Sequence, residues 1–502
     1  MQLTVPQRNV ADTQSFPVDP DEVSRWLAGL QAVDNNSHAW EVYRGLKHSN
    51  RLHNDIDRRR MVISCFIPVL RELHNSLADL CRAQPMPLTR EFRRSAKLLD
   101  GLLREEAFAF KLLLADSETP LADDVRRAMM ALSRQADARV SGYQPLPAKL
   151  LRDANQLYQL AEHHHLLETR SNNDQPAAAV HHYFYIQWLA TTEIQQIRAR
   201  QMPLVLRFLR DKALLATPLS ASKPATLNNS DRALHLHLGA KPTLAAFLLK
   251  TDDALTRWFS IATLLEQIDL EIAKGRPNRF SLPGADALEK QTLIRLRTAL
   301  TQSRSRRSAR RIVNRECDAT LGHKAICAHF NFTSTEQLPA ASLALQQSAS
   351  DTWVQCNQSA QGSLLKHAQC SSGLAQVGEL VCLNEQTEPT AATARVGVVR
   401  WVQQNREVEI QLGVEFLAKG ILPVAVTRAN HIVNDNIGIA DEGIIIACKV
   451  KNKLMQTILL PAYLYQSGDT ITATQNEQSR QLKLVQSLQN NGLFSHFSLA
   501  QV

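Results

Sequence analysis

The chain has 502 residues, more than one hydrophobic core usually supports, so two or more domains are expected. An apolar fraction of 44% and a charged fraction of 21% are those of an ordinary soluble globular protein and argue against disorder. The net charge of +9 is modest for this length. No run reaches the ~20 apolar residues of a membrane helix, and no basic-then-apolar leader opens the chain, so the sequence reads as cytoplasmic.

The first ~300 residues are expected to be helical. Asp19 precedes Pro20 in DPDEVSRWLAGL, an N-cap followed by proline at the first helical position. Leu70, Leu73, Leu77 and Leu80 fall at helical spacing, as do Leu99, Leu102, Leu103 and Phe110. Pro85, Pro87, Pro120 and Pro147 separate these segments. Carboxylates such as Glu105 and Glu106 read as solvated helix faces. The Ser-, Pro- and Asn-rich stretch 216–232 marks a break or linker. RALHLHLG then alternates as one short strand, with Leu234, Leu236 and Leu238 on one face and His235 and His237 on the other. Helical pattern returns from Leu244 to about Thr301.

After Arg315 strand signals dominate: WVQC, SLLKHA, ELVCL, ARVGVVRWVQ and REVEIQLGVEFL. Short strands at this spacing suggest a closed antiparallel barrel, with HKAICAHF as a helical interruption. From about Ile421 come GIIIACKV, TILLPAYL, TITATQ, RQLKLVQSL and FSHFSL. They form either a second, smaller β unit or strands that complete the first. The expected organisation is therefore multidomain α + β: a mostly helical region 1–303, a barrel 304–425 and a C-terminal β segment 426–502.

Two motifs carry chemistry. Arg304, Arg306, Arg307, Arg310, Arg311 and Arg315 crowd a stretch with no acid before Glu316. Arginine is always charged, grips phosphate bidentately, stacks on bases and can bond the O6 and N7 edge of guanine. Arg311 and Arg315 are four apart, with the strand-like run Cys317 to Leu321 close behind. Arg306/Arg310 and Arg307/Arg311 share that spacing, so the register stays open, with Arg311/Arg315 preferred. Downstream, Asn357-x-Ser359-x-x-Gly362 offers an amide, a hydroxyl and a glycine. Such a glycine permits a positive φ or a close ligand approach.

In that order, and within strand signals, these motifs resemble a PilZ domain, the bacterial receptor module for cyclic di-GMP. The resemblance covers about Arg304 to Ala425, a quarter of the chain. VGVVRWV (Val396 to Val402) and GVEF (Gly413 to Phe416) resemble the family's late strands. The gap between the motifs is longer than usual, with HKAICAHF and its loop inserted. The helical N-terminal region resembles that of long proteobacterial members. The resemblance implies that Arg311 and Arg315 bind phosphate and guanine, that Arg310 assists, and that Asn357, Ser359 and Gly362 complete the pocket. It implies cyclic di-GMP as ligand. A protein partner through the helical region is also expected, though the resemblance does not fix that region's role.

Other readings compete. A helical scaffold could carry a barrel that no longer binds, or an adaptor could hold RNA nonspecifically through the basic run. Few aromatics interleave with that run, so no stacking platform is evident and no stable nucleic-acid partner is expected. Glu162, His163, His164 and His165 are consecutive and cannot converge on one ion from a helix; no metal or redox cofactor is expected. None of the eight cysteines forms Cys-x-x-Cys. Phosphate-loop, dinucleotide-loop and nucleophile-elbow signatures are absent, and no nucleophile stands out, so the expected activity is binding, not catalysis.

Overall fold

The structure, a computed structural model, describes residues 3–8, 16–30, 34–82, 88, 90–167, 178–218, 233–237, 256–274, 288–301, 309–330, 350–368, 375–384, 390–405, 409–428, 440–450, 453–476 and 478–502. These fall into two compact units: most of the chain up to residue 304, and the chain from 305 onward with two short earlier segments.

The first unit is helical. It contains α1 (Pro20–Ala28), α2 (Asn35–Ser49), α3 (Ile56–Arg82), α4 (Arg90–Asp116), α5 (Ala122–Ser141), α6 (Ala148–His163), α7 (Ala179–Thr191), α8 (Met202–Asp211), α9 (Ala262–Lys274) and α10 (Lys290–Thr301). Asp19 caps α1 by accepting from the backbone N–H of Asp21 and Glu22, with Pro20 opening the helix. The leucine ladders point inward: Leu70, Leu73 and Leu77 on α3, and Leu99, Leu102 and Leu103 on α4, are all buried.

Two expectations need correction here. Glu105 and Glu106 are buried, not solvated. The Glu105 carboxylate accepts from Asn50 Nδ2 at 3.1 Å and Arg51 Nη1 at 3.1 Å. Glu106 faces His74 at 3.7 Å; burial pushes its carboxyl up to about 7 and the His74 imidazole down to about 3. The stretch from Leu244 to Thr301 is not uniformly helical either. Thr256–Ser260 forms a strand, β3, in a three-stranded sheet with β1 (Thr217–Pro218) and β2 (Ala233–His237), in the order β1-β3-β2. Aromatic packing explains it: Phe259 sits edge-on to Phe184, ring centres 4.9 Å apart, and against Tyr158. The strand at RALHLHLG forms as β2; the side-chain faces expected there lie outside the described residues.

The second unit holds two closed six-stranded antiparallel barrels. Barrel one comprises β4 (Arg311–Leu321), β5 (Ser350–Gln358), β6 (Gly362–His367), β7 (Leu380–Asn384), β8 (Arg395–Gln404) and β9 (Ile410–Lys419), in the order β4-β5-β6-β9-β8-β7. The interruption HKAICAHF is the helix α11 (His323–Phe330) between β4 and β5. Barrel two comprises β10 (Leu422–Arg428), β11 (Asp441–Val450), β12 (Lys453–Pro461), β13 (Thr470–Gln475), β14 (Gln478–Asn490) and β15 (Phe494–Gln501). Its order, β10-β11-β12-β15-β14-β13, repeats that of barrel one strand for strand. The C-terminal strands thus close on themselves instead of completing the first barrel. They are also no smaller a unit in strand number. The boundary expected at 425 falls inside β10, which pairs only with β11 and β13.

The barrels share an apolar seam. Leu380, Cys382, Val396 and Val398 of barrel one pack with Ile444, Ile446, Leu459 and Phe494 of barrel two, and Ile326 and Cys327 of α11 fill the same cluster. His323 Nε2 adds a polar contact to the Leu459 carbonyl at 3.3 Å. Barrel two keeps a separate interior of Val424, Val426, Ile458, Leu460, Ile471, Leu484 and Phe497.

Candidate functional site

The candidate residues meet at one end of barrel one, where β4 begins and the β5–β6 hairpin turns. Both arginines lie inside β4, which starts at Arg311 itself instead of after Arg315. Arg311 stands opposite Gln358 and Ile312 opposite Asn357, but the next pair is Arg315 with Gln355. Val313 and Asn314 therefore face Cys356 alone, a β-bulge. Asn314 adopts φ 46°, a left-handed conformation that asparagine tolerates better than most residues. A second bulge lies beside it, because Gln355 pairs with Leu365 while Asn357 pairs with Leu364. Adjacent bulges bend and twist strands locally and re-aim side chains.

The Asn-x-Ser-x-x-Gly motif is the hairpin. Asn357 lies near the end of β5, Ser359 stands in the turn and Gly362 opens β6. The Ser359 N–H donates to the Gly362 carbonyl at 2.8 Å, and Ser359 Oγ accepts from the N–H of Gly362 and Gln361 at 3.2 and 3.3 Å. The Phe416 N–H donates to the Gln361 carbonyl at 2.8 Å, tying the turn to β9. Gly362 is required for a different reason from either one anticipated. Its φ is not positive, and a Cβ there would stand 2.2 Å from the Val414 carbonyl oxygen. The close approach is to the neighbouring strand.

Arg310 and Arg311 are exposed, and no ion pair among the described residues engages either. Arg315 is half-buried and its Nε donates to Gln355 Oε1 at 2.8 Å. Gln355 in turn donates to Ser363 Oγ at 3.1 Å, and Ser363 Oγ donates to the Asn357 carbonyl at 2.7 Å. Asn357 Oδ1 is buried and has no hydrogen-bond partner. An unsatisfied buried acceptor costs about 1–3 kcal/mol. Cys356, at the bulge, has its thiol pushed up by burial and so stays protonated.

The outer row Ile312–Asn357–Leu364–Gly413–Trp401 crosses five strands at this end. Trp401 lies over Gly413, where a Cβ would approach the indole Nε1 to 1.9 Å. Arg400 pairs with Glu415 at 2.5 Å beside it. Sequence reading missed Gln355, Ser363 and Trp401. Only the alternation of WVQC, which turns Trp353 and Gln355 to the same buried side, signalled that a glutamine belongs to the interior. Arg304, Arg306 and Arg307 lie outside the described residues. No group of three His, Cys, Asp or Glu side chains able to hold a metal occurs among the described residues, and no helix among them is long and apolar enough to cross a membrane.

Comparison with known families bears directly on this corner. A family model described as the N-terminal domain of the cyclic-di-GMP receptor FimW matches residues 21–222, and one described as its middle PilZ domain matches residues 335–423. The chain belongs to the PilZ-domain cyclic di-GMP receptor family. Among curated proteins, the cyclic-di-GMP receptor FimW of Pseudomonas aeruginosa is 27% identical over 172 residues, 32% of this chain. The matched stretch spans 28% of that relative's length. No solved structure matches the chain. The PilZ match includes Asn357, Ser359 and Gly362 but begins after the strand that bears Arg311 and Arg315. Most of barrel two lies beyond both matches.

Proposed function

We propose that the bulged end of the PilZ barrel binds cyclic di-GMP and that the protein is a receptor for it, acting by binding and not by catalysis. The observation that carries this reading is the meeting of Arg311 and Arg315 with the Asn357–Gly362 hairpin across paired strands. In this reading Arg311 and Arg315 hold phosphate and guanine, and Arg310 assists from the exposed approach to β4. Asn357 offers its unpartnered oxygen to a ligand donor. Ser359 and Gly362 shape the site, Ser359 closing the turn with its N–H and hydroxyl and Gly362 letting β6 lie against β9.

Calorimetry of the full chain tests it. Cyclic di-GMP should give saturable heat that GTP and cyclic di-AMP at equal concentration do not reproduce. Absence of heat at high micromolar ligand would identify a barrel that no longer binds. RNA held by the basic run would lose affinity steeply with salt; tight RNA binding at physiological salt would overturn the receptor reading.

The coupling proposed is between ligand and helical region. The stretch 302–308 joins α10 covalently to β4, and its like charges repel until an anion neutralises them. Ligand should slow amide exchange from Arg310 to Arg315 and also in α10. Protection confined to the barrel would leave a ligand-binding module without this transmission route.

A further inference from the structure

Gln355 is fully buried inside barrel one, where an aliphatic side chain would be the ordinary choice. A buried amide is tolerated only when both ends are hydrogen-bonded, and here both are. The Arg315 Nε–H donates to Oε1, the amide N–H donates to Ser363 Oγ, and the Ser363 hydroxyl donates to the Asn357 carbonyl. Every donor points the same way along the chain of bonds. The amide has one workable orientation, since reversing it would set an N–H against the arginine N–H. Bonds aligned in this way polarise and strengthen one another.

The relay crosses both bulges. It joins the arginine of β4 to the backbone at the first residue of the hairpin motif, through two residues that belong to neither motif. We propose, resting on the reading that this barrel end binds cyclic di-GMP, that Gln355 is a positioning residue for the site. It holds the Arg315 guanidinium by its inner nitrogen and sets that orientation relative to Asn357. Ser363 is the second member of the relay. Neither touches the ligand.

The test is a double-mutant cycle in the full chain, read as cyclic di-GMP affinity by calorimetry, with a thermal melt of each variant. Gln355→Leu should weaken binding about tenfold, comparable to losing one charge-assisted contact. In an Arg315→Ala background the same substitution should cost less than about twofold, because the group it positions is gone. Gln355→Glu keeps an acceptor for Arg315 Nε and should bind within about threefold of the natural chain. Equal losses from Gln355→Leu in both backgrounds, or a Gln355→Glu variant as weak as Gln355→Leu, would overturn the proposal in favour of simple packing. Should Gln355→Leu fail to fold, Ser363→Ala replaces it in the cycle, with the same expected non-additivity with Arg315→Ala and the same overturning result. A natural chain that gives no heat with cyclic di-GMP would sink the receptor reading and this proposal together; a natural chain that binds, with Gln355→Leu binding equally well, would sink this proposal alone.

Discussion

The two barrels share one strand order and a shifted pairing between their fifth and sixth strands, but only barrel one is also bulged at its first two pairings. In barrel one, bulges interrupt β4–β5 and β5–β6 at the end where the arginines meet the hairpin, and β8–β9 as well. In barrel two, the counterparts of the first two pairings run unbroken, Leu422↔Ile445 to Val426↔Asp441 and Ile444↔Leu459 to Val450↔Lys453; its register shifts lie in β14–β15, the counterpart of β8–β9. The first strand differs to match. β4 brings Arg311 and Arg315, whereas β10 brings Val424 and Val426 into an apolar interior. A shared topology thus leaves function open, and the side chains of one strand, together with the bulges that aim them, set the barrel with the candidate site apart from its neighbour.

The sharpest way to break this comparison is to overfill the special corner. Gly362→Ala should destabilise the β unit by about 3 kcal/mol, because its Cβ would meet a fixed backbone carbonyl 2.2 Å away. Gly443→Ala in barrel two should cost about 1 kcal/mol, since its nearest neighbour, Val426 Cγ2 at 2.8 Å, is a side chain able to shift. Denaturant midpoints compare the two. Similar losses would mean that the corner is no tighter than the rest of the unit.

Next in size is the ligand effect. Arg315→Ala or Arg311→Ala should weaken cyclic di-GMP binding about 10- to 100-fold, and more than Arg304→Ala. Arg428→Ala should leave affinity unchanged, because Arg428 stacks on Tyr465 within barrel two, 5.1 Å from the ring centre. Equal losses at all these positions would point to diffuse charge attraction, and a maximum at Arg306 or Arg307 would move the register.

The smallest effect is one of pH. Burial lowers the His496 imidazole of barrel two to about 4, so it stays neutral while the unfolded side chain, near 6.5, takes up a proton. Its contribution to stability is present above about pH 6.5 and is lost as the pH falls toward about 4. At about pH 5 the loss should be about 1–2 kcal/mol. His496→Gln should flatten this slope in melts between about pH 7 and pH 5; an unchanged slope would place the titrating group elsewhere.

Much of this architecture was legible because alternation is a local signal. WVQC, ELVCL and GIIIACKV announce strands without knowing their partners, and HKAICAHF announces a helix. What a single sequence does not carry is which strands close which ring, so the repeated order of the two barrels emerged only from the pairing. The strand at Trp258–Phe259 was hidden for a similar reason: it is made by rings on α6 and α7, far away in sequence. Glu105 and Glu106 misled because a carboxylate on a helix looks solvated until its partners, Asn50, Arg51 and His74, are known. The motif residues were found by type and spacing, but Gln355 was not, because nothing about one glutamine in a strand reveals the hydrogen bonds at its two ends.

The apolar seam between the barrels has a consequence for synthesis. Leu380, Cys382, Ala394, Val396 and Val398 are each 0% exposed, yet they form part of the wall against which barrel two rests. A ribosome completes β9 before it has made any of barrel two, and at ~5–20 residues per second the stretch from Ile421 to Val502 takes several seconds more. During that interval a nascent first barrel would present this apolar wall uncovered. A fragment ending at Gly420 would keep that wall bare indefinitely and should self-associate, however well its own six strands close.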